Sequence, residues 1–310
     1  MEASRCLAIV GATCTGKSGL ALALAQRLGG ELINGDALQV YRGLDRGTAK
    51  PTLEERSLAP HHLIDFLDPD ERFSAGEFSR QARVRIAEVQ ARGKLAIVVG
   101  GSGFYIRALF QGLSEIPEVP EEVREALAQR LSEQGLEALY DELQRVDSAT
   151  ARQVSPNDKQ RILRALGVVT ASRRPISEWR SAPPREEGPG ALLMGLTLPR
   201  SLLYDRIACR ARRMVRQGWL DEIEGLLEQG VSEAAPAFQA IGYRQLLSHL
   251  QGRCGLEEAI EDTVKATRRY AKRQETWFRK ERVAVWFPAT DPKLLPSHVM
   301  TYLASQGIRS

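Results

Sequence analysis

The stretch Gly11-Ala12-Thr13-Cys14-Thr15-Gly16-Lys17-Ser18 satisfies in full the pattern in which two glycines, a lysine and a hydroxyl residue build a phosphate-binding loop. Backbone N–H groups at the start of the following helix cradle phosphate oxygens, Lys17 supplies a point charge, and Ser18 is placed to ligate Mg²⁺. The spacing specifies phosphate and leaves the phosphate compound open. A nucleotide hydrolase built on this loop would also carry an apolar strand ending in an acidic Mg²⁺ ligand. Here the apolar run Leu95 to Val99 ends in Gly100-Gly101-Ser102-Gly103 instead. The acidic residue that follows a strand is Asp36, after Glu31 to Asn34, where small-molecule kinases of this type place the carboxylate that takes a proton from the nucleophile. An aspartate in such a loop also caps turns, and position alone leaves both roles open.

The elements that must hold these residues follow from the apolar pattern. A strand at Cys6 to Val10 leads through the glycine turn into a helix from about Lys17 to Leu28, which Gly29-Gly30 ends. Strands at Glu31 to Asn34 and Leu95 to Val99, alternating with helices, imply a parallel α/β sheet flanked by helices. From Pro117 to Trp179 the pattern is helical, bracketed by Pro117, Pro120 and the run from Ala182-Pro183-Pro184 through Gly188-Pro189-Gly190. The expected organisation is therefore a core of residues 1–115 plus 185–310 and an all-helical insertion of residues 116–184. A strand at Leu192 to Leu198 resumes the sheet, and helices at about 200–217, 219–229 and 256–282 follow. Residues after Asp291 carry no clear pattern.

With 310 residues, 43% hydrophobic and 26% charged, the chain has enough apolar material for one large domain or two modest ones. Cys6, Cys14, Cys209 and Cys254 are far apart and form no C-x-x-C pair, which disfavours a disulfide framework or a zinc site and leads to the expectation of a reducing, cytoplasmic setting. No signal-peptide pattern is expected at the amino end, and no segment is long and apolar enough to span a membrane. The net charge of +4 is small, but eight basic residues against two acidic ones fall between Lys265 and Arg282, where a polyanion would be attracted. His61-His62 lack companion ligands and are assigned no metal, and Trp179 and Trp219 are expected in the core or at its rim.

Further motifs give the chain a family resemblance. Asp36-Ala37-Leu38-Gln39-Val40-Tyr41-Arg42-Gly43-Leu44-Asp45, Gly47-Thr48-Ala49-Lys50-Pro51 and Pro60-His61-His62-Leu63-Ile64-Asp65 stand in the first third. Gly100-Gly101-Ser102-Gly103-Phe104-Tyr105, Asn157-Asp158 with Arg161 and Arg164-Ala165-Leu166, and Pro199-Arg200 with Arg206-Ile207 and Arg210 follow. Gln239-Ala240-Ile241-Gly242-Tyr243, Thr267-Arg268-Arg269-Tyr270-Ala271-Lys272-Arg273-Gln274 and Thr276-Trp277-Phe278 complete the series. In this order and over nearly its whole length the chain resembles the bacterial tRNA dimethylallyltransferases, also called tRNA isopentenyltransferases.

The resemblance implies a P-loop NTPase-like fold that binds dimethylallyl diphosphate and Mg²⁺ and prenylates N6 of the adenosine 3′ of the tRNA anticodon. Carried over by position, Asp36 is the general base, Lys17, Ser18-bound Mg²⁺ and Arg210 stabilise the leaving diphosphate, and Ser102 puts a hydroxyl near the reacting centre. The implied tRNA contacts are Asp36, Ala37, Leu38, Gln39, Ser102, Gln160, Arg161, Ile162, Leu163, Arg164, Lys272 and Arg273, with Gln39 facing the extruded base. That base must leave the anticodon stack, so a channel entered by RNA from one side and the isoprenoid from the other is expected. A monomer is the default. Ser102 replaces the family's threonine, Ala37 its serine beside the base, and Gly167 a glutamate whose loss would loosen a helix or an RNA contact. The rival readings are a small-molecule kinase, a transferase acting on free adenine nucleotides, and a tRNA-binding protein without catalysis; the last has no use for Asp36, Lys17, Ser18 and Arg210 together.

Overall fold

A computed structural model describes residues 6–181 and 188–308. The chain forms two compact units, one of Met1–Phe110 with Gly188–Ser310 and one of Gln111–Glu187. The proline run expected to mark the second boundary, Pro183-Pro184, lies outside the described residues.

The first unit is built on strands β1 (Cys6–Gly11), β2 (Glu31–Asn34), β3 (His61–His62), β4 (Ala96–Gly100), β5 (Leu192–Thr197) and β6 (Val285–Pro288). They pair in parallel in the order β3-β2-β4-β1-β5-β6. Every residue of β1 and β2 is buried, as in strands covered on both faces. Helices α1 (Lys17–Leu28), α2 (Leu53–Leu58), α3 (Ala75–Ala91) and α4 (Gly103–Gln111) come first. The second unit contributes α5 (Glu121–Val146), α6 (Ser148–Ala151), α7 (Lys159–Ser172) and α8 (Ile176–Ser181). The chain then returns to the first unit with α9 (Arg200–Arg216), α10 (Trp219–Glu228), α11 (Tyr243–Leu250), α12 (Leu256–Phe278) and α13 (Leu295–Ser305).

The expected α1 has the bounds read from the sequence, because Gly16 and Gly29 both take left-handed backbone at its ends. Its Leu20, Ala21 and Leu24 share a core with Leu7 and Ile9 of β1 and with Val299 and Leu303 of α13. A second core gathers Val40, Tyr41 and Leu44 with Ile223, Phe238, Tyr243 and Trp219, so Trp219 is a core residue. Beneath β2 the buried Glu31 carboxylate meets His62 Nε2 at 2.7 Å, Arg92 Nη2 at 2.6 Å and Lys94 Nζ at 3.0 Å. Burial alone would raise the pKa of Glu31, but the hydrogen bonds from Arg92, His62 and Lys94 outweigh it and hold the carboxyl down to about 2.

Among the elements that depart from expectation are three near the carboxyl end. Helix α12 stops at Phe278, four residues short of the expected Arg282, because the chain must turn for Ala284 N–H to reach Leu193 O and enter β6. Strand β6, with Pro288 in a four-residue edge strand, gives too short a signal to read. The tail beyond Asp291 forms α13, which buries Leu295, Val299 and Leu303 at four-residue spacing.

In the second unit α5, interrupted at Gly135 by non-helical backbone, packs with α7 around Leu127, Leu139, Leu143, Ile162 and Leu166. Gly167 corrects the expectation of a loosened helix. It is buried within a continuous α7, and a Cβ there would lie 2.9 Å from Val119 Cγ1 and 3.5 Å from Leu127 Cδ1.

Candidate active site

Beyond β1 the chain enters the phosphate loop hard against β5: a Cβ on Gly11 would lie 2.6 Å from Leu196 O. Cys14 (φ 64°) and Gly16 (φ 91°) then take left-handed backbone, folding the loop over the amino end of α1. Thr15 Oγ1 and Lys17 Nζ both donate to Ala12 O, at 2.8 and 2.6 Å. Gly11, Ala12 and Thr15 are buried and shape the loop, whereas Thr13, Cys14, Gly16, Lys17 and Ser18 line a cavity of about 930 Å³.

The loops after β2 and β4 meet at the same end of the sheet, the carboxyl end, where open parallel sheets bind ligands. Gly35 N–H donates to Val99 O at 2.8 Å, and a Cβ on Gly100 would sit 2.2 Å from Gly35 O. Asn34 shapes the turn that follows: its Oδ1 accepts from Asp36 N–H at 2.9 Å and its Nδ2 donates to Asp36 O at 3.0 Å. Asp36 Oδ1 accepts from Leu38 N–H at 2.9 Å, so the turn-capping reading holds for one carboxylate oxygen. Asp36 also lines the 930 Å³ cavity. Ser102 Oγ accepts from Ala37 N–H at 3.1 Å, tying the β4 loop to the loop of Asp36.

The electrostatics follow from this convergence. Burial pushes Lys17 down to about 8, while the Asp36 carboxylate pulls it up and Arg210 pushes it further down. Arg210 Nη1 lies 3.8 Å from Cys14 Sγ, and Arg206 and Arg213, four residues before and three after it on α9, line the same cavity. Tyr270 of α12 is pushed up to about 12, first by burial and then by the charge of Asp36. Gln39 faces the cavity with its Nε2 donating to Thr48 O and Ala49 O, both at 3.2 Å. The segment that supplies those carbonyls is fixed by Glu222, whose carboxylate accepts from the N–H groups of Asp45, Arg46 and Gly47 at 2.9, 2.6 and 3.2 Å.

The remaining expected contacts divide. Lys272 and Arg273 are exposed on α12, and Gln160, Arg161 and Arg164 are exposed on α7. Arg161 pairs with Asp158 at 3.3 Å, and Arg164 Nη2 donates to Pro117 O at 3.2 Å. Leu163 is half-buried, and Ile162, expected to touch RNA, is fully buried in the second unit's core and can only position its neighbours. His61 Nδ1 bonds Ala59 O and His62 bonds Glu31; among the described residues no cluster of three metal-ligating side chains forms. Sequence reasoning missed Arg213, Tyr270 and Gln274 as cavity residues. The helical spacing from Arg206 and Arg210 points to Arg213, and Tyr270 and Gln274 stand in the Thr267–Gln274 motif that carries the family resemblance, where only Lys272 and Arg273 were given a role.

A phosphate loop, an arginine row and an aspartate facing one cavity at the carboxyl end of a parallel sheet define an enzyme of P-loop NTPase-like fold. The chain belongs to the IPP transferase family, whose model matches residues 39–281. It is 44% identical to a tRNA dimethylallyltransferase of Geobacter metallireducens over 92% of this chain and 93% of the relative. It is 45% identical to one of Geobacillus thermodenitrificans over 92% and 90%. The full-length tRNA isopentenylpyrophosphate transferase of Bacillus halodurans superposes with TM-score 0.72 at 37% identity, covering 98% of this chain and 96% of that one. A eukaryotic dimethylallyltransferase solved acting on tRNA superposes with TM-score 0.81 at 27% identity, covering 98% and 80%.

Proposed function

We propose that this chain transfers the dimethylallyl group of dimethylallyl diphosphate to the N6 amine of the adenosine 3′-adjacent to the anticodon of tRNA, releasing diphosphate. The observation that carries this reading is the shared cavity, in which Asp36 faces the phosphate loop closely enough for its charge to act on Lys17. The diphosphate lies on the N–H groups at the start of α1, beside Lys17 and Arg210. As the C1–O bond breaks, its electron pair leaves with the diphosphate, where these charges stabilise it. The N6 lone pair forms the new C–N bond and the N6 proton goes to Asp36. Gln39 faces the extruded base.

The residues fit Mg²⁺ as substrate phosphates bind it. Ser18 lines the cavity at the head of α1, and Mg²⁺ takes few protein ligands, completing its shell with phosphate oxygens and water. When bound, it supplies charge neutralisation at the diphosphate. Lys272, Arg273, Gln160, Arg161 and Arg164 offer exposed polar groups to the RNA backbone. Working on tRNA, the chain acts in the cytoplasm, as a monomer.

The test is incubation with Mg²⁺, radiolabelled dimethylallyl diphosphate and unmodified bulk tRNA. Label in N6-(dimethylallyl)adenosine is expected. No label in RNA, with ATP turnover on a small acceptor, would replace this reading by the kinase one.

A further inference from the structure

The β1–β4 ladder ends at the pair Val10 and Gly100, one step before the phosphate loop and the Ser102 loop begin. Past that point the two strands' exits are joined by one side chain of α12. Gln274, 5% exposed, accepts from Thr13 N–H through Oε1 at 2.9 Å and donates through Nε2 to Gly101 O at 2.8 Å. A flipped amide would set donor against donor and oxygen against oxygen, so both bonds fix its orientation. The seat is close: a Cβ on Gly101 would lie 2.3 Å from Gln274 Nε2. Next to Gly101 on the same loop, Ser102 Oγ accepts from the N–H of Ala37 beside Asp36. A continuous set of hydrogen bonds thus runs from the phosphate loop through Gln274 and the β4 loop to the loop of the base.

We propose that Gln274 is a positioning residue for the transfer reaction: by bridging Thr13 and Gly101 it sets the separation between the diphosphate cradle and Asp36. The inference rests on the transfer reading given above. Displacement at C1 needs the amine nitrogen and the leaving oxygen in line on opposite sides of one carbon. The cradle holds one end and Asp36 the other, and a misplacement of about 1 Å costs about a hundredfold in rate. Neither loop continues the ladder that would otherwise set this distance. Gln274 touches no reacting atom in this scheme, so its loss acts on turnover and not on affinity.

The test compares wild type with Gln274→Met, which keeps the length of the side chain and loses both hydrogen bonds. Steady-state transfer is measured against dimethylallyl diphosphate and tRNA, and inorganic pyrophosphate binding is measured by calorimetry. Expected are a kcat lower by about 30-fold, with both KM values and the pyrophosphate Kd within about threefold of wild type. A second route displaces the same amide sterically. Gly101→Ala should lower kcat in the wild-type background and have a clearly smaller effect in Gln274→Ala, where the 2.3 Å clash is gone and the added methyl meets only Gly11 O at 3.3 Å. If Gln274→Met fails to fold, this pair carries the test. A Gln274→Met enzyme with wild-type kcat, a loss confined to KM, or additive effects of Gly101→Ala and Gln274→Ala would overturn the role. Absence of transfer by wild type would instead overturn the transfer reading, and this role with it.

Discussion

The charge state of Lys17 is set by the fold. Burial brings its ammonium from the ordinary 10.5 down to about 8 even with Asp36 pulling the other way. It is therefore charged below pH 8 and increasingly neutral above it, and a bound diphosphate raises it again. Pyrophosphate affinity relative to Lys17→Met, a comparison that removes the ligand's own titration, should be steady up to pH 8. Above that it should fall by up to about tenfold per pH unit. Calorimetry at pH 8.5 in buffers of different ionisation heat should show proton uptake by wild type and less by the variant. A ratio flat to pH 9.5 would contradict this. Lys17 and Ser18 were legible because a loop motif encodes their roles within eight consecutive residues. Asp36 was legible only as two alternatives; the structure shows the capping one through a single carboxylate oxygen and places the residue on the cavity wall. Gln274 was not legible as a bridge: its partners Thr13 and Gly101 are 261 and 173 residues away.

At the scale of elements, packing decides where sequence pattern runs out. Gly167 lets α7 approach Val119, so Gly167→Glu should destabilise the chain by about 2 kcal/mol through overpacking and a buried carboxylate. Urea denaturation reads this directly, and an unchanged midpoint would refute the packing role. Glu31 ties β2 to His62 of β3 and to the approach to β4. Its folded pKa of about 2 lies below the ordinary 4.5, so its contribution to stability is complete above pH 4.5 and is lost as pH falls toward 2. Glu31→Gln should cost about 2 kcal/mol at pH 7 and progressively less below pH 4.5, visible as convergence of the two melting curves in acid. Strands β1, β2, β4 and β5 and helix α1 were legible because each is a long or bounded apolar run. Strand β3, two histidines held at the sheet edge by β2, has no local signal at all.

At the scale of the whole molecule, the order β3-β2-β4-β1-β5-β6 follows from which buried faces meet across long loops, and no window of sequence contains that information. The parallel α/β class was legible from alternation alone, and the helical insertion from a stretch without strands. Charge is distributed on the same scale: Lys272 and Arg273 are exposed within the basic stretch of a chain of net charge only +4. Replacing both by alanine should weaken tRNA binding across sequences and reduce the slope of log affinity against log salt by about 2, whereas an unchanged slope would remove them from the RNA surface. On the transfer reading one cavity holds both the leaving diphosphate and the base that takes the N6 proton, which single-turnover transfer of the dimethylallyl group to tRNA by Asp36→Ala puts to the test. A rate lower by about a thousandfold with pyrophosphate binding retained is the predicted result; transfer at the wild-type rate would contradict it.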